Sequence, residues 1–112
     1  MAVDIQKFFN ETLPPILAKH ADAARRVGAK LQIHVTGGGG GAWFVDASAS
    51  GPAVEAGDPG GADATITIST EDFAAYYENP RVNGTSLLFA GKLKIGGNQV
   101  LGVRFAQILA LK

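Results

Sequence analysis

Seven residues, Lys30-Leu31-Gln32-Ile33-His34-Val35-Thr36, alternate strictly between polar and apolar. Side chains along a strand point to opposite faces in turn. Leu31, Ile33 and Val35 therefore share a face that needs a cover, while the polar residues look away: a half-buried strand. The pattern recurs twice. Ala42 to Ser48 sets Trp43, Val45 and Ala47 on one face, and Ala64-Thr65-Ile66-Thr67-Ile68-Ser69 turns Ala64, Ile66 and Ile68 inward. A weaker strand surrounds Val54. Between them lie turn signals: five glycines from Gly37 to Gly41, then Gly51-Pro52, then Gly57 to Gly61. The glycine run most simply closes a hairpin, and four strands parted this way predict a meandering antiparallel sheet.

Helical patterns flank the strands. Residues 3 to 12 put Ile5, Phe8 and Phe9 on one face, and Pro14-Pro15 is expected to interrupt that helix and open another. The second helix carries Ile16, Leu17, His20, Ala21 and Ala24 inward and ends near Gly28. Ser69 followed by Asp72 is a near capping box, opening a helix through Phe73, Ala74, Tyr76 and Tyr77 that stops at Asn79-Pro80. A short helix, Thr85 to Ala90, a glycine stop and a brief strand lead to Gly96-Gly97-Asn98. Asn98 stands where an N-cap belongs, ahead of a closing helix to Lys112. Leu101, Phe105, Ile108 and Leu109 form its apolar stripe, and Val100, Val103 and Leu111 lie off it. A helix apolar over so much of its girth is either sandwiched or lines something greasy. Helices segregated on one side of a single twisted sheet make an α+β domain over residues 1–112.

Charge excludes more than it suggests. Ten basic and ten acidic residues cancel, and charged residues are only 18% of the chain, so nothing draws nucleic acid over long distances. The chain has no cysteine, hence no disulfide or thiol chemistry. Met1-Ala2-Val3-Asp4 lacks a signal-peptide pattern, and no apolar run approaches the ~20 residues of a membrane span. Ala110-Leu111-Lys112 is not a Ser-Lys-Leu address. The expectation is a soluble, cytoplasmic protein.

Chemistry-bearing patterns are sparse. Gly37-x-Gly39-x-x-Ala42 imitates a dinucleotide fingerprint, but a strand follows where a helix N-terminus is required. Gly96-Gly97-Asn98 precedes a helix with Lys92 and Lys94 nearby; a turn with its cap explains it better than an anion site. His20 and His34 lack metal-ligand spacing. Asp46, Asp58, Asp63, Glu71 and Asp72 all have fold duties available, and no serine has a nucleophile's setting. The expectation is no enzyme, no metal and no cofactor. Arg25-Arg26, the only adjacent basic pair, reads either as a gate for an anionic head group or as charge complementing a helix C-terminus.

Phe89-Ala90-Gly91-Lys92-Leu93-Lys94-Ile95-Gly96-Gly97-Asn98 with its apolar helix resembles the C-terminal signature of the sterol carrier protein 2 domain. Trp43-Phe44-Val45-Asp46, Ala62 to Ser69 and Glu71-Asp72-Phe73 are similar to that family's strands and helix start. The likeness covers about residues 28 to 112, and the first 27 fit only as helices. It implies a five-stranded, mainly antiparallel twisted sheet, helices over one face, and an apolar tunnel between. It also implies non-catalytic binding and transfer of a fatty acid, fatty acyl-CoA, sterol or similar lipid. The expected lining is Ile33, Trp43, Val45, Ile66, Ile68, Phe73, Tyr77, Leu88, Phe89, Leu101, Phe105 and Ile108, with Arg25 and Arg26 at a head group. Its partners would be a hydrophobic lipid and, transiently, a membrane, with no nucleic acid. The oligomeric state stays open between monomer and weak dimer.

Two other readings remain. In one, the chain is an accessory domain of a lipid or quinone pathway, docking a partner through its closing helix. In the other, Asp46 or Asp63 serves as the base of an isomerase-like enzyme. Residue patterns alone do not separate a packed interior from one with room for a guest.

Overall fold

The computed structural model describes residues 4–111; Val3 of the expected first helix and Lys112 of the last lie outside them. Five strands form one mixed sheet in the order β3-β2-β1-β4-β5: β1 Ala29–Thr36, β2 Gly41–Ala47, β3 Ala53–Ala56, β4 Ala64–Ser69 and β5 Leu93–Gly97. The inward residues fall in register across it. Val54, Val45, Leu31 and Ala64 make one row, and Trp43, Ile33, Ile66 and Ile95 the next. Val35, Ile68 and Leu93 make a third. These rows meet helical side chains in one continuous core.

The sheet is not a meander throughout. β4 pairs with β1, and in parallel, because the chain leaves β3 and crosses back through residues 57–63 before entering β4. Glycines 57, 60 and 61 turn that segment with positive φ. The crossing also explains a residue the alternation misplaces. Gln32 lies on the face opposite Leu31 and Ile33 yet is buried. Its Nε2 donates to Trp43 O at 3.1 Å and Gly57 O at 3.0 Å, tying the crossover to the sheet. Beside it His34 Nε2 lies 3.4 Å from Asp58 Oδ2. The amide nitrogen is thus paired while the buried Oε1 has no hydrogen-bond partner among the described residues, so the tie to the crossover comes at the cost of one unsatisfied acceptor.

The prolines do not break the first helix. α1 Ile5–Lys7 runs through a π-helical turn, Phe8–Thr12, into α2 Leu13–Lys19, with Leu13 N bonded to Phe8 O. A wider turn just ahead of two residues that lack an N–H lets the helix continue. The bend falls later, at His20, before α3 Ala21–Arg25. The π turn sets Phe8 and Phe9 side by side in the core, and Phe9 stacks on Trp43 at 4.5 Å. Asn10 Oδ1 accepts from Trp43 Nε1 at 2.9 Å.

After β4, α4 Thr70–Glu78 starts under a Ser69 cap whose hydroxyl accepts from Asp72 N. α5 Pro80–Phe89 is longer than expected, because Pro80 opens a helix at its first turn as readily as it ends one. The closing helix divides at Arg104 into α6 Gln99–Val103 and α7 Phe105–Leu109. Asn98 caps it, its Oδ1 accepting from Leu101 N at 3.1 Å. Arg104 Nη1 donates to Val27 O at 2.9 Å, and the break turns Phe105, Ile108 and Leu109 into the core.

Candidate functional site

A cavity of about 300 Å³ lies where α4, α5, β5, α6 and α7 converge. α5 forms one wall. Arg81, Gly84, Thr85 and Leu88 recur at the three- and four-residue spacing that places helical side chains on one face. Leu93 of β5 closes a second side, and Val103, Ala106 and Gln107 around the Arg104 break close a third. Tyr76 and Pro80 complete the lining. The interior walls are aliphatic or aromatic, and Arg81, Thr85 and Gln107 are exposed.

Tyr76 fixes the inner end. It is buried, its ring packed near Phe73 and Phe105. It lies so close to α5 that a Cβ at Gly84 would come within 2.8 Å of its Cε1. Burial pushes its phenol well above the ordinary tyrosine range, so the hydroxyl keeps its proton. Gly102 plays a matching part under α6, where any Cβ would collide with Ile95 Cγ2. Gly84 thus lets α5 come close to Tyr76 of α4, and Gly102 lets α6 come close to the sheet at Ile95 and Ala64.

The expected lining residues divide sharply by place. Ile33, Trp43, Val45, Ile66, Ile68, Phe73, Phe105 and Ile108 are buried together in the core and do not line this cavity. Tyr77 is half-buried, edge-on to Phe8 at 5.0 Å, and Leu101 packs partly buried against the same core. Leu88 lines the cavity. Phe89, counted inward in the sequence, is 86% exposed, because the longer α5 turns its last residue outward. Arg25 donates from Nε to Gly51 O at 2.8 Å and lies 3.3 Å from Asp22. Arg26 is exposed, and neither arginine lines the cavity.

Arg81, Gly84, Thr85, Val103, Ala106 and Gln107 are lining residues that sequence reasoning passed over. A helix opening at Pro80 would have aligned Arg81, Gly84, Thr85 and Leu88; one opening at Thr85 hides them.

The two aspartates weighed as bases are otherwise engaged. Partial burial raises the Asp46 carboxyl, but Ser48 and Ser50 hydroxyls and the Ser48 amide donate to it, holding it below the usual carboxylate range. A carboxylate held in that way is a poor proton acceptor. Asp63 Oδ2 accepts from Lys30 N at 2.8 Å. Neither lines the cavity. Among the described residues, no three His, Cys, Asp or Glu side chains gather as metal ligands.

A family model described as the SCP-2 sterol transfer family matches residues 9–110. The chain belongs to that family. It is also 32% identical over 89 residues to hydroxysteroid dehydrogenase-like protein 2 of Rattus norvegicus, covering 79% of this chain and 17% of that protein. The chain spans about a fifth of the length of the curated relatives it matches. Sterol carrier protein 2 from Yarrowia lipolytica, in its apo form, superposes with a TM-score of 0.66 at 26% identity, over 92% of this chain and 81% of that one. Palmitated SCP2L2 from Aedes aegypti superposes at 0.70 and 23% identity, over 98% and 96% of the two chains, which establishes likeness of fold. None of the described helices is long and apolar enough to cross a membrane.

Proposed function

We propose that this chain carries a single-chain lipid, its hydrocarbon tail lodged between α5, β5 and the α6–α7 bend, and does no chemistry on it. The observation that supports the reading is the cavity itself, about 300 Å³ with Tyr76, Leu88, Leu93, Val103 and Ala106 around it. That volume sits at the lower end of ligand pockets, which run from about 300 to 1,000 Å³. It suits a flexible chain better than a rigid polycycle. Each buried methylene contributes about 0.8 kcal/mol, so even part of an acyl tail supports micromolar binding. Membership of the sterol transfer family and the likeness to a palmitated relative point the same way.

Arg81 is the group we assign to an anionic head. It lines the cavity, is exposed, and has no ion-pair partner among the described residues. Arg25, already held by Gly51 O and Asp22, is the weaker candidate.

Uptake of a fluorescent fatty acid, with native mass spectrometry of the purified protein, tests the proposal. The expected result is saturation near one lipid per chain and loss of uptake on Ala106→Leu, which fills the lining. Wild-type protein that acquires no lipid, or equal uptake by the filled variant, would overturn it. Phe105 is unsuitable as a probe, because it is fully buried in the core and its substitution reports folding.

A further inference from the structure

All ten acidic residues of this chain stand at or before Glu78. From Asn79 onward the side chains carry five positive charges, Arg81, Lys92, Lys94, Arg104 and Lys112, and no negative one. The chain is neutral as a whole only because its two parts cancel, residues 1–78 holding five basic residues against ten acidic. The cationic part is also where apolar side chains break the surface. Val82, Leu88, Phe89, Val100 and Val103 are the large apolar residues exposed among those described, and all lie between residues 82 and 103. Phe89 is 86% exposed, Val100 66% and Val82 61%.

These residues adjoin the cavity. Leu88 and Val103 both line it and reach solvent, so they are its lip. Val82 and Phe89, seven apart on α5, run beside the Arg81–Leu88 stripe, and Val100 is one turn before Val103 on α6. Lys92 follows Phe89 in the turn that leaves α5. Arg81, Lys92 and Lys94 have no ion-pair partner among the described residues. Exposed apolar side chains and unpaired cations on the same or adjoining elements mark an interaction surface, and here α5 and α6 are elements that bound the cavity.

We infer that this lip is a docking face for an anionic lipid surface: Phe89, Val82 and Val100 enter the headgroup region while Arg81 and Lys92 meet acidic lipids. The inference rests on the carrier reading, since a guest that never meets bulk water must pass between cavity and bilayer where the two touch. Basic residues near an anionic leaflet each contribute about 1 kcal/mol, and an aromatic ring sunk among headgroups adds its own burial. The combination gives weak, salt-sensitive, reversible binding, which suits a carrier that must leave again.

Co-sedimentation with vesicles tests it. Wild-type protein is expected to sediment with phosphatidylcholine vesicles containing about one-third phosphatidylserine, much less with phosphatidylcholine alone, and less as salt rises. Lys92→Gln should lower partitioning about fivefold and Phe89→Ser about tenfold. Both positions are exposed, so the fold is expected to survive, and Glu11→Gln serves as a distant control. Absence of binding to anionic vesicles, or binding unchanged in both variants, overturns the docking face. So does a wild-type protein that ignores vesicles yet binds poly-glutamate, which would give the face to an acidic protein. Uptake of a monomeric fluorescent fatty acid without vesicles separates the two proposals. Uptake without vesicle binding removes the docking face and leaves the carrier; vesicle binding without uptake does the reverse.

Discussion

The helical layer covers the sheet in two quite different ways. Over β1 and β2 the gap is filled by rings: Phe9 lies 4.5 Å from Trp43, Phe8 5.0 Å from Tyr77, and Phe73 5.7 Å from Phe9. Beside β5 the helices bring the small residues Gly84, Thr85 and Ala106 among Tyr76, Leu88 and Val103, and space remains. The same sheet supports both, so the difference comes from side-chain volume on the helices. Large rigid rings close an interface; small residues on helices held elsewhere by good contacts leave a void that the structure cannot collapse. The aromatic end can therefore carry stability, which leaves the α5 end free for the guest that we propose.

Phe9→Ala should break the aromatic end outright. A loss of about 3–5 kcal/mol is expected in urea unfolding, since the ring is fully buried against Trp43 and Phe73. Ala106→Leu attacks the other end. It should cost less than about 1.5 kcal/mol, because the added carbons enter existing space, while lipid uptake falls at least tenfold. If stability falls as far as in Phe9→Ala and uptake persists, the two ends are not distinct. Arg81→Gln sharpens the assignment of the mouth: affinity for a fatty acid should drop about two- to fivefold, with no change for its methyl ester, as befits an exposed ion pair. The smallest effect belongs to Asp46→Asn. The folded carboxyl titrates below its ordinary 3.8, so the stability it contributes is present above about pH 4 and is lost as pH falls through the folded value. The variant should lag wild type slightly in urea midpoint near neutrality, and the gap should close as pH falls below 3.8 through the folded value.

Legibility in the sequence followed locality. The alternating strands, the glycine hairpin, the Ser69 and Asn98 caps and the buried face of Phe8 and Phe9 were readable because each depends on neighbours a few residues away. The same reading named the core correctly as apolar, but could not say which apolar residues touch one another. Leu88 is as apolar in sequence as the core residues, and only the fold separates it from Phe105. Pro80 misled, since proline both ends and begins helices, and that single ambiguity concealed Arg81 and Gly84.

The sequence by itself determined an α+β chain, since strand period, turn glycines and caps are properties of short segments, and the motif from Phe89 to Asn98 carried its resemblance to the sterol carrier family. The parallel pairing of β4 with β1, the burial of Gln32 and the placing of the cavity under α5 were decided in three dimensions. Each depends on which surfaces meet after the chain has crossed itself, and residues distant in sequence fix that jointly through volume and hydrogen bonding.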